Sequence, residues 1–202
     1  RDALELIQID YEHMPSAIDM ERAAEDNSTL VHPELGTNLC YHSSDTAGDP
    51  EEAFANADGV VSTRMTQPRL IPNPMEARAV VANYERNTRN LTLWVSTQNP
   101  HMERSIVAMM LGLPENRLRV VSIDVGGGFG CKINTYPESI IAALLAMQIK
   151  NPVKWAEDRQ ENFVSTSHGR GQVQYAEAAY KNDGTLLAVR LRIYADLGAY
   201  CQ

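Results

Sequence analysis

The 202-residue chain contains only three cysteines, Cys40, Cys131 and Cys201, and they lie far apart in the sequence. This spacing provides neither a disulfide framework nor a paired-cysteine metal motif, and it is typical of proteins from a reducing compartment. Long hydrophobic runs are also missing. The longest apolar run covers residues 140–147, whereas a membrane-spanning helix requires roughly 20 residues. The sequence therefore predicts a cytoplasmic protein without a membrane span.

Positive charge is scarce as well. The 18 lysines and arginines are outnumbered by 26 aspartates and glutamates, which gives a formal net charge of −8. Proteins that bind nucleic acids need clustered Lys and Arg side chains to neutralise successive phosphates, and the sequence contains no such cluster. We therefore expect no nucleic-acid partner. The composition, with 44% hydrophobic and 22% charged residues, is typical of a globular protein that buries a core.

Strand and helix patterns alternate along the chain and predict an α+β fold, in which helices flank a mixed sheet. Strands are predicted over residues 6–11, 59–65, 77–84, 91–96, 118–125 and 152–155, and over a hairpin at 175–194 that turns at Asn182-Asp183-Gly184. Prolines at positions 68, 72 and 74 predict a break in regular structure between the second and third strands.

Two helices have clear sequence boundaries. Asn99 followed by Pro100 predicts a capped helix start, and Gly112 predicts its end. The apolar stripe of this helix is predicted to comprise Ile106, Met109 and Met110. A second helix is predicted from residue 136 to about residue 148.

Several polar segments are interpreted as exposed connections. Residues 27–50 are rich in Pro, Gly, Ser and His, which is typical of a linker. The side chains of His32, Cys40 and His42 in this linker lack the spacing of metal ligands, so no metal-binding residue is predicted. The charged residues at 157–161 are interpreted as a solvated turn, and His168-Gly-Arg-Gly171 as a turn that enters the hairpin.

A glycine-rich loop, Gly126-Gly-Gly-Phe-Gly130, directly follows a predicted strand. Glycines allow successive backbone N–H groups to converge on an anion. A phosphate-binding P-loop would require Ser or Thr after Lys132, where Ile133 stands, and a dinucleotide fingerprint would require glycine at position 131. Both motifs are excluded. A ligand-binding loop and a simple packing turn remain open from the loop alone.

Several separate segments together resemble the large, molybdenum-binding subunits of the molybdenum hydroxylases, the family of xanthine dehydrogenase, aldehyde oxidase and aerobic carbon monoxide dehydrogenase. They are residues 2–6, residues 69–78, Ser96-Thr-Gln-Asn-Pro-His101, the glycine loop, and residues 152–159, 168–171 and 195–200. The resemblance covers essentially all 202 residues. It implies an α+β domain of the first molybdenum-binding type (residues 51–202), joined by the linker at 27–50 to the tail of an α/β hammerhead domain (residues 1–26).

The resemblance also implies roles for individual residues. Gln98 matches a catalytic glutamine beside the molybdenum that hydrogen-bonds an oxygen ligand of the metal, and an amide suits this role because its NH₂ donates without adding charge. Gly127, Gly128, Phe129 and Gly130 match a loop that contacts the pterin cofactor, mostly through backbone N–H groups. The Phe129 ring is alternatively expected to anchor the loop in the core, and the two roles are compatible.

The segment after the glycine loop bears on the substrate. Xanthine-oxidising members carry Gly-Lys-Glu where this chain has Cys131-Lys132-Ile133. A xanthine-type substrate is therefore not expected. The Tyr136-Pro137 that follows is similar to the carbon monoxide dehydrogenase side of the family, and the resemblance implies carbon monoxide, an aldehyde or an N-heterocycle as substrate. Cys131 is interpreted as a small loop residue, because the family's molybdenum takes its sulfur ligands from the pterin.

The resemblance further implies cofactors and partners. The expected cofactor is molybdenum–molybdopterin in its cytosine dinucleotide form, with FAD and 2Fe-2S clusters on a medium and a small partner subunit. The family's general-base glutamate and further cofactor loops are expected in a remaining portion of the large subunit. The chain would then be a piece of that subunit, or one product of a split gene, that supplies one wall of the site. The alternative is a non-catalytic split or degenerate module for cofactor delivery or subunit docking.

Overall fold

The structure is a computed structural model that describes residues 6–25 and 27–200. It divides into two compact units, one comprising Arg1–Arg69 with Arg170–Gln202 and the other comprising Leu70–Gly169. The elements in chain order are α1 (Met20–Ala23), α2 (Pro50–Ala55), β1 (Gly59–Leu70), β2 (Ala79–Glu85), β3 (Asn90–Val95), α3 (Pro100–Leu111), β4 (Leu118–Val121), α4 (Pro137–Ile149), β5 (Val153–Ala156), α5 (Arg159–Ser165), β6 (Gly169–Tyr180) and β7 (Leu186–Ala195), with short 3₁₀ turns at Pro33–Leu35 and Glu115–Arg117.

The unit Leu70–Gly169 contains a four-stranded sheet in the order β4-β3-β2-β5. β2 pairs antiparallel with both β3 and β5, whereas β3 and β4 are parallel. Helices α3 and α4 pack against this sheet. The predicted α+β class with a mixed sheet and flanking helices is confirmed.

The core of this unit lies between the sheet and the two helices. Leu91 and Leu93 alternate along β3 and are fully buried, as the strand pattern predicts. The buried cluster comprises Val80, Ala82, Leu91, Leu93, Val107, Ala108, Leu118, Ala142, Ala143 and Ala146. Small alanines on α4 let this helix approach the sheet closely.

Helix α3 has the predicted ends but a different buried face. The Asn99 side chain accepts a hydrogen bond from the Met102 N–H, and Gly112 ends the helix in the left-handed conformation. The predicted stripe is wrong, because Met109 and Met110 are exposed while Val107 and Ala108 are buried. The smaller side chains face the core, where α3 lies against β4 and α4.

The other unit contains a three-stranded sheet in the order β1-β6-β7. β6 and β7 form the predicted antiparallel hairpin, with Gly184 at φ +87° in the turn. β1 continues through Pro68 to Leu70, so the predicted break at Pro68 is wrong. β1 is an edge strand, and an edge tolerates proline because one side of the strand needs no N–H donors.

The strand predicted over residues 6–11 is wrong. Residues 7–19 adopt no regular structure, and Leu6, Ile7 and Ile9 are exposed. A strand requires a neighbouring strand to pair with, and no strand within 6–25 or 27–200 pairs with this segment.

Within the same ranges, the helices are too short or too polar to cross a bilayer. The proposed boundaries at 26 and 50 stay predictions.

Candidate functional site

The parallel pairing of β3 and β4 brings two loops together. Because Leu91–Trp94 lies in register with Leu118–Val121, both strands end at the same edge of the sheet. Gln98 follows β3, and the glycine loop follows β4. The Gln98 N–H donates to the carbonyl oxygen of Lys132 at 2.9 Å, which joins the two loops directly.

The side-chain amide of Gln98 has a fixed orientation. Its Oε1 accepts hydrogen bonds from the backbone N–H groups of Gly130, at 3.1 Å, and Lys132, at 3.3 Å. Since both partners are donors, the oxygen must face them, and the NH₂ therefore points to the other side. Gln98 is exposed, and its NH₂ donates to no other described residue. It is available to an acceptor outside the chain.

The approach of Gln98 requires glycine at position 128. A Cβ built on Gly128 would overlap the Oε1 and Cδ atoms of Gln98, and one on Gly126 would lie 2.6 Å from the Cβ of Glu76. Gly127 and Gly130 both have φ +95°, in the region that favours glycine. The loop therefore holds Gln98 against its backbone, which a side chain at 128 would prevent.

The loop uses some of its N–H groups internally and leaves two others without an acceptor among the described residues. The Gly127 N–H donates to Val125 at 2.8 Å, and the Gly130 N–H donates to Gln98. Among the described residues, neither the Gly128 N–H nor the Phe129 N–H has an acceptor. These two neighbouring donors lie next to the amide of Gln98 in the folded loop.

The Phe129 side chain does not anchor the loop in the core, because it is 74% exposed. Its φ of +52° is uncommon for a residue with a bulky side chain. Backbone strain of this kind is concentrated at ligand-binding and catalytic sites.

Glu76 and Lys132 support the loop from within the same unit, and sequence reasoning missed both. The Glu76 carboxylate accepts hydrogen bonds from the Gly126 N–H and the Ser96 hydroxyl, and it lies 3.5 Å from the Lys132 Nζ. Burial alone would raise the pKa of Glu76, but the Ser96 and Gly126 hydrogen bonds and the Lys132 charge together lower it below its ordinary value. Glu76 is therefore ionised at neutral pH.

Cys131 is a packing residue of the loop. It is fully buried, and its thiol donates to the Gly128 carbonyl at 3.1 Å. Burial raises the pKa of the Cys131 thiol. Throughout the described part of the chain, no three residues of the types His, Cys, Asp and Glu lie together as a set of metal ligands.

The segment at 157–161 was wrongly predicted to be a solvated turn. Glu157 is buried and accepts hydrogen bonds from the backbone N–H and the guanidinium of Arg78, both at 2.9 Å. The Arg78 guanidinium also lies 3.7 Å from the centre of the Tyr136 ring. Asp158 caps α5 in a reciprocal pair with Glu161. Arg78 and Glu157 lie in two of the segments that carry the family resemblance, residues 69–78 and 152–159. This membership was the only sign in the sequence that the two residues have a structural role.

This network also reaches the segment before Glu76. The guanidinium of Arg159 donates to the carbonyl oxygens of Pro74, at 2.7 Å, and Met75, at 3.1 Å. α5 therefore fixes the backbone that presents the Glu76 carboxylate to the glycine loop.

Glu103 is a second buried carboxyl in this unit. It is 2% exposed, and together with Lys132 it lines a cavity of about 20 Å³. Burial raises the pKa of Glu103, although the nearby hydroxyl groups of Thr135 and Ser139 oppose the rise. Its Oε1 has no hydrogen-bond partner among the described residues.

Replacing Glu103 with glutamine is expected to stabilise the chain relative to wild type more strongly as the pH rises. The pKa of Glu103 is higher in the folded chain than its unfolded value of 4.5. The stabilisation that protonated Glu103 gives to the folded state is therefore fully present below pH 4.5, and it is lost as the pH rises through the folded-state pKa. The difference should reach on the order of 1 kcal/mol. Urea unfolding of both proteins from about pH 4 to about pH 8 measures it; a difference that is constant with pH would contradict the assignment.

A glutamine NH₂ and two adjacent backbone N–H groups, all without an acceptor among the described residues, lie at the end of a parallel strand pair and can donate to the oxygen atoms of a ligand. Comparison with known proteins identifies the ligand class. Residues 31–202 match the family described as the molybdopterin cofactor-binding domain. The chain belongs to this family.

The relatives and similar structures are named as hydroxylases, dehydrogenases and oxidoreductases, or as subunits of such enzymes. The nicotine 6-hydroxylase large subunit of Paenarthrobacter nicotinovorans is 36% identical over 98% of this chain and 24% of its own length. The carbon monoxide dehydrogenase large chain of Hydrogenophaga pseudoflava is 34% identical over 98% of this chain and 26% of its own. The crystal structure of quinoline 2-oxidoreductase from Pseudomonas putida 86 has a TM-score of 0.89 and 38% identity, and covers 98% of this chain and 25% of its own. The chain thus spans about a quarter of the length of these proteins.

The residues present fit a molybdopterin cofactor. The loop is shaped by close glycine contacts that a Cβ would disrupt at Gly126 and Gly128. The Lys132 ammonium is buried within the structure that supports the loop. The donors of the loop and of Gln98 that have no acceptor among the described residues are uncharged N–H groups, which suit the oxygen atoms of a metal-bearing cofactor.

Proposed function

We propose that the chain forms one wall of the molybdenum–molybdopterin site in the large subunit of a molybdenum hydroxylase. The observation that carries this proposal is the orientation of Gln98, whose Oε1 is held by the Gly130 and Lys132 N–H groups so that its NH₂ faces outward. The bound cofactor would supply the oxidation that places oxygen from water on a substrate.

The chain's own residues would bind the cofactor and fix its orientation. The Gln98 NH₂ donates to an oxygen atom of the cofactor without bringing a charge to it. The N–H groups of Gly128 and Phe129 add two donors at fixed positions, and preorganised donors act without rearranging during the reaction. Gly127 and Gly130 give the loop its shape rather than contacting the cofactor through their N–H groups.

An N-heterocycle is the proposed substrate class, with carbon monoxide and aldehydes as alternatives. Two relatives above 35% identity are named for the N-heterocycles nicotine and quinoline. Cys131-Lys132-Ile133 supports a substrate other than xanthine, because it lacks the glutamate that follows Gly-Lys in xanthine-oxidising members.

We also propose the assembly in which the chain acts. Several relatives are named as a large subunit, a large chain or a subunit of a complex. The proposed partners are the remaining portion of the large subunit, an FAD-binding medium subunit and a 2Fe-2S small subunit, located in the cytoplasm. The proposed cofactor form is the cytosine dinucleotide. The assignments of residues 1–26, 27–50 and 51–202 to a hammerhead tail, a linker and the cofactor domain belong to the same proposal.

The full-length protein, expressed with its neighbouring subunit genes, tests this function. Elemental analysis should find molybdenum near one atom per large subunit, and mass spectrometry should identify the nucleotide of the extracted cofactor. Dye reduction should occur with an N-heterocycle, an aldehyde or carbon monoxide. Absence of both molybdenum and turnover would instead support a non-catalytic module for cofactor delivery or subunit docking.

Gln98→Glu is expected to lower kcat about 100-fold while the cofactor is retained, because it preserves the acceptor oxygen but removes the outward donor. Gln98→Leu removes both functions and should also release the loop. The measurement compares kcat with molybdenum content in both variants. Full activity of Gln98→Glu would show that the outward NH₂ is not used.

A further inference from the structure

Lys132 is an unusual buried cation. Its side chain has no exposed surface, and its nearest acidic atom is the Glu76 Oε1 at 3.5 Å. Within residues 6–25 and 27–200, its Nζ makes no hydrogen bond of good geometry. Burying an ammonium group costs desolvation free energy even when the group is paired. The position of Lys132 beside the glycine loop therefore indicates a role beyond packing.

The backbone of Lys132 holds Gln98 from both sides. Its N–H donates to the Gln98 Oε1 at 3.3 Å, and its carbonyl accepts from the Gln98 N–H at 2.9 Å. The same carbonyl accepts from the Thr97 hydroxyl at 3.2 Å. Any shift of the Lys132 backbone would therefore shift the Gln98 amide.

Glu76 joins the two ends of the glycine loop. Its carboxylate accepts a hydrogen bond from the Gly126 N–H at the start of the loop and pairs with the ammonium of Lys132, two residues after the end of the loop. Ser96, at the end of β3, donates to the same carboxylate. This ion pair, with its lysine buried and its glutamate partly exposed, thus fastens the loop to the strand from which Gln98 extends.

We propose that Lys132 and Glu76 are positioning residues: their ion pair, in which the Lys132 ammonium is buried and the Glu76 carboxylate is partly exposed, holds the glycine loop and Gln98 in register and sets the charge around the cofactor. Neither residue contacts the reacting atoms. The inference rests on the proposed function, because it assigns the support of the same site.

The two members of the pair have opposite charges. Removing each charge in turn therefore distinguishes an electrostatic role, in which the two variants have opposite effects, from a purely structural role, in which both have the same effect. Lys132→Met leaves the Glu76 carboxylate unpaired, and Glu76→Gln leaves the Lys132 ammonium unpaired. Positive charge near a redox centre favours its reduced form. We therefore expect the reduction potential of the molybdenum to fall in Lys132→Met, to rise in Glu76→Gln, and to return toward wild type in the double variant.

The positioning role has a readout that needs no cofactor. In the cofactor-free enzyme, both single variants should exchange the backbone amide hydrogens of residues 126–132 about tenfold faster than wild type, because the loop loses its common anchor. In the loaded enzyme, kcat should fall about 10- to 100-fold with a smaller change in KM.

Arg104→Met is the matched control. Arg104 pairs with Glu115 at 2.8 Å on the surface of the same unit, so its loss changes the net charge as Lys132→Met does. It should leave the potential and the exchange of residues 126–132 unchanged.

The experiment uses the full-length enzyme with its subunits, and its outcomes are distinct. A wild-type enzyme without molybdenum would overturn the proposed function. A molybdenum-containing wild type whose Lys132→Met and Glu76→Gln variants shift the potential in the same direction, or not at all, would overturn only this inference. If Lys132→Met does not fold, Glu76→Gln decides the matter, and an unchanged potential with unchanged amide exchange overturns the inference.

Discussion

Alanine at position 128 is expected to reduce the activity of the full-length enzyme at least about 100-fold, the size of effect that a misplacement near 1 Å produces. The added Cβ would overlap the Oε1 and Cδ atoms of Gln98. Gln98 would have to leave the Gly130 and Lys132 N–H groups, and its outward NH₂ would lose its fixed direction. Steady-state dye reduction and molybdenum content of the purified variant measure the loss.

Two glycine variants separate this close contact from backbone strain. Gly130→Ala places a side chain at φ +95° in open space, and Gly112→Ala does so at φ +64° at the end of α3. Gly112→Ala should cost about 1 kcal/mol of stability and leave activity unchanged. Gly130→Ala should be intermediate, because it strains the loop without displacing Gln98. Activity of Gly128→Ala equal to that of Gly112→Ala would refute the required contact.

Glu157→Ala is expected to lower the free energy of unfolding by about 3 kcal/mol at neutral pH, because it leaves the buried Arg78 guanidinium with only the more distant and partly exposed Glu138 carboxylate, at 3.4 Å. Hydrogen bonds from Arg78 and Asn162 lower the pKa of Glu157, although burial alone would raise it. The stabilisation is therefore present above the unfolded pKa and is lost as pH falls through the lowered folded pKa. Urea unfolding at about pH 7 and at about pH 3 measures both effects.

An exposed ion pair in the same unit provides the control. Glu115→Ala removes the carboxylate that lies 2.8 Å from Arg104, and both side chains are partly exposed. This change should cost less than about 1 kcal/mol. Replacing Arg78 and Glu157 together with apolar side chains should recover much of the loss. Equal costs for Glu157→Ala and Glu115→Ala would show that the buried pair has no special weight.

Local chemistry explains what the sequence predicted well. The cap formed by Asn99, the helix end at Gly112 and the turn at Asn182-Asp183-Gly184 depend on a few adjacent residues. Alternation along β3 predicted the buried Leu91 and Leu93 for the same reason. The strand at 6–11 failed because local propensity does not supply a neighbouring strand.

The residues that support the site were not predicted, because charged residues are usually expected at the surface. Lys132, Glu76 and Glu157 belong to residue types that are normally exposed, and their partners lie far away in sequence. The resemblance predicted Gln98 and the glycine loop. It did not predict that the Gly127 and Gly130 N–H groups serve the loop itself, because that division depends on backbone angles that the sequence does not display.

The parallel pairing of β3 and β4 has a consequence for how this architecture diversifies. Gln98 and the glycine loop extend from the carboxyl ends of these strands, whereas the connection at residues 112–117 enters β4 at its amino end. Insertions in that connection leave the carboxyl-end geometry intact, because the strand register separates the two edges. Residues added between Gly112 and Arg117 should therefore disturb the site less than residues added within the glycine loop, because they enter the sheet at the edge opposite Gln98.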